Sequence, residues 1–501
     1  MSMTDEVSVR REKLNRLRDE GINPYPASCE RTHHVQDVLL QFDGLVADQA
    51  VLSIVGRLLT IRVHGGMIFA DLFDGSGKIQ IAFKEDVLQA EEFIRFRDMM
   101  DPGDFVEVKG VLFLTKRGER TLRVQSWRPL AKALMPLPEK WHGLTDTEAR
   151  FRKRYLDLLM NASVRDRLLT RSRIISSIRT LLDARGFIEV ETPTLQPLYG
   201  GGFARPFVTH HNALDVDFYL RISDEMYLKR LLVGGFERVY EITKVFRNEG
   251  IDHDHNPEFT MFEAQVAYQD YRWGMDIFEE IFEHAATSVL GTTEVRHGDV
   301  SINVQRPWKR YRLVDAVREI GGLDVSLWQD IGEAKECLAP HLGSDHKRLE
   351  LGRMRSVGEV IAFAFEELVE EKLIQPTIIY DYPIEVSPLA KKTADPRYTG
   401  RFEAFALGSE IGNNYSELND PVDLACRFVE ENKKEQAGFD EAHQTDQDYL
   451  EAISHGMPPA CGLGIGIDRM TMLLTGSGHI KEVILFPTLR PRQDGMSDDT
   501  R

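Results

Sequence analysis

The residues whose types and spacing could do chemistry fall in two stretches. Between Phe236 and Tyr268 two strand-like runs enclose a loop rich in His, Asp, Asn and Gly, which predicts a long antiparallel hairpin. Arg247 and Glu249 leave the first run where the loop begins, and His255, Glu258 and Phe259 enter the second. Along the second run Phe262, Ala264 and Val266 share one face and Glu263 and Gln265 the other, so one side is core and the opposite side carries polar groups. In the other stretch, runs over Phe402–Leu407 and Glu410–Leu418 join at Gly408-Ser409, which brings Glu403 and Glu410 together across a hairpin. Opposed like charges are destabilising unless a cation lies between them, and Mg²⁺ prefers carboxylate oxygens plus substrate phosphates. Alternation places Asn413, Tyr415 and Glu417 on the other face of that second strand. Charges alone also describe ordinary hairpins with solvated acids.

Several elements must position these groups. Residues 164–195 contain a helix with Leu168, Ile174, Ile175, Ile178, Leu181 and Leu182 at spacings of mostly three and four. Gly186 ends it, and Phe187 to Glu191 continues as a strand into Thr192-Pro193. Residues 50–132 alternate strands and tight turns, five strands with one helix between the third and fourth, as in an OB-fold barrel. Cations gather late in it at Lys109, Lys116, Arg117, Arg120, Arg123, Arg128 and Lys132, while Phe69 sits near Arg62 and Gln80. A ring to stack on and cations for a backbone suit single-stranded nucleic acid, although a Phe on a strand is equally a core residue. Met1 to about Pro26 reads as a charged helix, either solvated or facing RNA.

Composition narrows the class. The chain has 501 residues, enough for two or three domains, and a formal charge of −18. Cys29, Cys337, Cys426 and Cys461 are widely spaced, which excludes a Cys-x-x-Cys zinc site and a disulfide framework and suits a reducing cytoplasm. Residues 1–20 are charged, so no signal peptide or membrane span is expected. Gly-Ser-Gly-Lys at 75–78 lacks the first Gly and the final Ser or Thr of a P-loop, and Gly462, Gly464 and Gly466 fail the dinucleotide fingerprint. Nucleotide must be held another way.

Phe246-Arg247-Asn248-Glu249, then His255, then Pro257-Glu258-Phe259-Thr260 resembles motif 2 of the class II aminoacyl-tRNA synthetases. The helix, Gly-Phe, strand and Thr-Pro of 164–195 resemble motif 1, the dimer element, and Gly462 to Arg469 resembles motif 3. Pro136-Leu137-Pro138-Glu139-Lys140-Trp141-His142-Gly143, Gly200-Gly201-Gly202-Phe203 and Ser387-Pro388-Leu389-Ala390-Lys391 are similar to the wording of bacterial-type class II lysyl-tRNA synthetases. Glu225 stands where aspartate and asparagine enzymes of the subclass have Gln, and a carboxylate suits an ammonium substrate. It also opens an amphipathic helix, where exposed acids are common.

The resemblance implies an α+β fold: an N-terminal helical extension (1–49), an OB-fold anticodon-binding barrel (50–132), a linker (133–163), and a class II catalytic domain (164–495) on an antiparallel sheet flanked by helices. It implies a cytoplasmic homodimer, joined through motif 1, that activates L-lysine with ATP and charges tRNA(Lys), with about three Mg²⁺ ions held by carboxylates and phosphates. Catalysis then rests on Arg247 and Arg469. ATP is held by Arg247, Glu249, His255, Phe259, Glu403 and Arg469, and the metal by Glu403 and Glu410. Lysine is held by Gly201, Glu225, Arg247, Glu263, Asn413, Tyr415 and Glu417, and the anticodon by Arg62, Phe69 and Gln80. Ser223 and Gln265 depart from the family's usual Ala and Tyr, the latter a residue touching the substrate amine. The same chemistry on a lysine analogue, a protein-lysine-modifying paralogue and a regulatory relative are the alternatives; the barrel and the intact charged set argue against the last two. Residues 291–395 read as an inserted or peripheral element.

Overall fold

A computed structural model describes residues 3–138, 144, 146–202, 204–436 and 446–491. Glu139 to Gly143 and Phe203, which contribute to the family wording, lie outside the described residues. The chain divides into two compact units, Met1–Thr145 and Asp146–Arg501.

In the first unit, strands Leu52–His64, Met67–Phe73, Lys78–Lys84, Arg120–Ala131 and Phe105–Leu114 close, in that spatial order, into a barrel. Helix Ala90–Met99 bridges the third and fourth strands in sequence. Alternation sorts the faces: Ile68, Ala70 and Leu72 point inward and are fully buried, while Met67, Phe69 and Asp71 are not. Gly75 (φ +92°) makes the Gly-Ser-Gly-Lys stretch a hairpin turn, with Asp74 Oδ1 accepting from the Ser76 and Gly77 amides. The first 49 residues are built into this unit: Val35, Val38 and Phe42 belong to the barrel core. Helix Met3–Asp19 buries Leu17, and the buried Arg10 guanidinium donates to the Pro102 and Ala133 carbonyls. Lys132, counted above among the gathered cations, is also structural, since its ammonium is buried against Asp104 at 2.7 Å and Asp101 at 2.5 Å.

The second unit is organised on an eight-stranded sheet. Its order is Lys309–Arg312, Thr377–Pro383, Tyr398–Ala406, Ser409–Ser416, Ala460–Gly466, Glu258–Ala267, Arg238–Phe246 and Ile188–Glu189. Pairing is antiparallel except at the two outermost pairs. Residues 291–395 are therefore only partly peripheral, because two strands from them extend the main sheet. Ser356 and Glu359 form a capping box that opens helix Val357–Leu368. Motif 1 supplies helix Ala162–Ala184, with Ile174, Ile178 and Leu182 fully buried beside Phe262 and Ala264 of the motif 2 hairpin. The strand expected over Phe187–Glu191 shortens to two residues. The Thr192 amide turns to the Glu241 carboxylate, and Pro193 has no N–H to continue a ladder.

Candidate active site

A cavity of about 370 Å³ opens over the centre of the sheet, on the face opposite the motif 1 helix. The motif 2 strands pair Val245 with Phe259, Thr243 with Met261, Glu241 with Glu263 and Val239 with Gln265. Phe259, Met261, Glu263 and Gln265 face the cavity, so the polar side of the hairpin is a buried floor rather than a solvated surface.

At one end the cavity is cationic. Arg247 stands 5.2 Å from the Phe259 ring centroid, and its buried Nε has no hydrogen-bond partner among the described residues. Burial draws the Arg247 guanidinium below its usual range, partly offset by Glu263, Glu249 and Glu410. Arg469 donates to the Glu410 carbonyl (2.8 Å) and to His255 Nε2 (3.1 Å), which leaves His255 Nδ1–H to face Asp252 at 2.9 Å. Motif 3 is pinned to motif 2 beneath them, where Asp468 accepts from the Thr260 amide (2.7 Å) and from Arg171 (2.8 Å). Glu249, exposed, completes the rim. A triphosphate with an adenine ring matches these cations and the Phe259 face.

The two acids proposed from sequence as a metal pair are arranged differently from the simple hairpin. Glu403 lies opposite Asn413 and Phe405 opposite Glu410, because a bulge at Ile411 adds one residue to the second strand. That extra residue resets the alternation, so Glu410, Asn413, Tyr415 and Glu417 all line the same cavity instead of occupying two faces. Glu403 accepts from Tyr382 (2.7 Å) and pairs with Arg401. The Glu410 carboxylate has no hydrogen-bond or ion-pair partner among the described residues. Burial and the charge of Glu403 push it upward, so the two acids do interact. No cluster of three or more metal-binding side chains occurs among the described residues. The donor set fits an ion that takes one or two carboxylates and completes its shell with phosphate and water.

The other end is anionic and largely buried. Glu225 opens helix Glu225–Val233 and accepts from the Tyr415 hydroxyl. Glu417 accepts from Gln265 Nε2 at 2.8 Å. Lys229 forms ion pairs with both carboxylates. Burial pushes Glu417 up to about 7, with Lys229 pulling against the rise. The Ser223 hydroxyl bridges Glu263 (2.8 Å) and the Glu225 amide (3.1 Å). Burial, together with neighbouring acids, pushes Glu263 up to about 7 and Asp224 well above the ordinary carboxylate range. Gly201, at φ +81°, passes so close that a Cβ would meet Ser223 Oγ at 2.8 Å. A Cβ at Gly462 would meet Glu417 Oε1 at 2.2 Å, so this motif 3 glycine makes room for the acid pocket rather than for a nucleotide. Asn413 accepts from Arg401 Nε at 3.1 Å. Every residue assigned from sequence to this site except Glu403 lines the cavity. Sequence reasoning passed over Lys229, Arg401 and the Asp468–Arg171 pair. The first was signalled by its position one helical turn after Glu225.

In the first unit Arg62 pairs across the strands with Phe69, and Arg62 Nη2 donates to Gln80 Oε1 at 3.3 Å. Gln80 in turn donates to Thr121 at 2.8 Å. Phe69 is half-buried on the outer face and has no place in the barrel core, which removes the core alternative. Arg128 and Lys109 are tied to Glu107 and Glu30.

The family model for tRNA synthetases class II (D, K and N) matches residues 146–490, and that for the OB-fold nucleic acid binding domain matches residues 52–130. Lysine–tRNA ligase from Carboxydothermus hydrogenoformans is 50% identical over 495 residues, 98% of this chain and 99% of its own. The enzymes of that name from Bacillus subtilis (46% identical, 98% of each chain) and Chloroflexus aurantiacus (47%, covering 99% of this chain and 100% of theirs) are similar along their whole length too. The chain belongs to the class II tRNA synthetases and, within them, to the lysine–tRNA ligase family.

Proposed function

We propose that this protein activates L-lysine with ATP and transfers it to the 3′ end of tRNA(Lys), working as a cytoplasmic homodimer. The observation that carries the reading is the single cavity that joins a cationic end, Arg247 and Arg469, to an anionic one, Glu225 and Glu417. The lysine carboxylate attacks the ATP α-phosphorus in line, the bond to the β-phosphate oxygen breaks and pyrophosphate leaves. The ribose hydroxyl at the tRNA terminus then attacks the acyl carbon of the adenylate and AMP departs. Neither step needs a side-chain nucleophile; the protein positions groups and neutralises charge. Arg247 bridges the substrate carboxylate and the α-phosphate. His255 and Arg469 hold the outer phosphates, Phe259 stacks on adenine and Glu249 accepts from its amino group. Glu263, Gly201 and Asn413 surround the backbone of the amino acid, and Glu225, Tyr415 and Glu417 receive its side chain.

Mg²⁺, when bound, would neutralise phosphate charge; Glu410, whose carboxylate has no hydrogen-bond or ion-pair partner among the described residues, and Glu403 are the residues that would hold it. Dimerisation through motif 1 is supported by exposed Leu169, Ile188, Leu195, Val208 and Val216 in and just after it. Arg62, Phe69 and Gln80 read the anticodon. A lysine analogue as substrate is the second reading, favoured by Ser223 and Gln265, both buried at the anionic end. Amino-acid-dependent ATP–pyrophosphate exchange across L-lysine, β-lysine, ornithine and norleucine separates the two. An analogue that outran L-lysine by about tenfold in kcat/KM, ~1.4 kcal/mol, would displace lysine as the substrate.

A further inference from the structure

The side-chain end of the pocket contains a cation of the protein's own. Lys229 lies one turn after Glu225 on helix Glu225–Val233, and its side chain is 1% exposed. Its ammonium pairs with Glu225 Oε1 and, at 2.5 Å, with Glu417 Oε2, and stands 5.2 Å from the Tyr415 ring centroid. Glu225, Tyr415 and Glu417 line the cavity whereas Lys229 does not, so its ammonium approaches the two acids from behind. Two carboxylates that share a dry site without a cation cannot both stay ionised; one takes up a proton. Two carboxylates and one ammonium leave one negative charge.

We propose that Lys229 is the resident counter-cation of the amino-acid pocket, a positioning residue that keeps Glu225 and Glu417 ionised and aligned, so that the pocket presents one net negative charge and takes a side chain with one cationic group. This rests on the reading of the cavity as a lysine site. A surface pair at this helical spacing contributes little, but at this burial the loss of one partner leaves an uncompensated charge. The groups that face Glu417 come from five elements: Lys229 and Glu225 from the helix, Gln265 from the motif 2 strand, Tyr415 from its own strand, Tyr449 from helix Gln447–Ser454, and Cys461 from the motif 3 strand. Lys229 is the one cation among them.

The test is lysine-dependent exchange by the full chain from about pH 6 to pH 9, for wild type, Lys229→Met, Lys229→Arg and the double variant Glu225→Gln/Lys229→Met. Lys229→Met should raise the lysine KM at neutral pH about tenfold or more, leave the ATP KM within about twofold, and move the acid limb of kcat/KM for lysine to higher pH by about one unit. Lys229→Arg should restore most of both. The double variant, which again carries one negative charge, should return the acid limb to the wild-type position or below, and it serves as the readout should Lys229→Met fail to fold. The inference is overturned by an unmoved acid limb in Lys229→Met, by equal rises in the lysine and ATP KM, or by a double variant whose limb lies above wild type. Wild type inactive with lysine would instead remove the reading of the site.

Discussion

The barrel patch of Arg62, Phe69 and Gln80 and the pocket of Glu225, Lys229 and Glu417 each gather three groups from more than one element, yet they are held in opposite ways. The barrel groups stand on an outer face, joined by a 3.3 Å hydrogen bond, with Arg62 exposed. In the pocket Lys229 and Glu417 are buried, Glu225 is largely so, and ion pairs link them, so each bears on the charge state of the others. A flexible strand of nucleic acid can be met by a surface that brings only a ring and donors. A small cation must be met by a buried site whose own ion pairs leave one negative charge for it to neutralise. Substitutions should therefore have steep, ligand-specific effects in the pocket and shallow, separable ones on the barrel.

The largest effect belongs to the reacting centre between these two extremes. Arg247→Ala should lower ATP–pyrophosphate exchange by ~10²–10³, the usual consequence of removing a donor aimed at charge that appears in the transition state. Burial already lowers the Arg247 guanidinium, and its buried Nε has no hydrogen-bond partner among the described residues. Exchange above about a tenth of wild type, in protein that elutes and melts normally, would remove Arg247 from the chemistry.

Next is the pocket. Glu417→Gln deletes one member of a buried ion pair, typically ~2–5 kcal/mol, so the lysine requirement should rise about 30-fold or more while that for ATP changes little. Parallel rises for both substrates would mean a collapsed site rather than a lost contact. The same carboxylate sets a pH dependence. Its value in the free protein is pushed up to about 7, and in the proposed site the ionised form would receive the substrate ammonium, which stays protonated to about pH 10. As pH falls from about 8 to about 6 the carboxylate gains a proton and loses its charge, so kcat/KM for lysine should drop on the acid side, and lysine binding near pH 7 should release protons. Proton release is measured by calorimetry in buffers of different ionisation enthalpy; none at pH 7 would contradict the assignment.

Much of this architecture was legible beforehand because its signals are local. The alternation of Phe262, Ala264 and Val266, the spacing of Ile174, Ile178 and Leu182, and the Arg247 to Phe259 stretch each depend on neighbours in the chain. What escaped depends on three dimensions. A single extra residue at Ile411 put Glu410 on the same side as Asn413, Tyr415 and Glu417, and strict alternation cannot register a bulge. Lys229 could be paired with Glu225 by helical spacing, but its second partner, Glu417, comes from the end of strand Ser409–Ser416, far along the chain. Lys132 looked like one of a row of barrel cations until Asp101 and Asp104 were found folded around it.

The smallest expected effect is the one that best isolates the barrel. Phe69 lies between the inward residues Ile68 and Ala70 but points the other way, half-buried beside Arg62. Phe69→Ala should therefore lower tRNA charging by about tenfold, within the ~1–3 kcal/mol that a stacking ring contributes, with exchange unchanged because no tRNA takes part in it. Gln80→Ala on that background should weaken charging further, since Gln80 braces Arg62. Ile68→Ala is the control: it empties a fully buried site and should cost the barrel ~2–5 kcal/mol of stability, whereas Phe69→Ala should leave its melting nearly unchanged. If Phe69→Ala melts like Ile68→Ala, the ring is structural and the outer face loses its role. If it melts like wild type and charging is also untouched, the anticodon is read elsewhere on the barrel. Only stable protein with slower charging and intact exchange keeps Phe69 as the base-stacking ring.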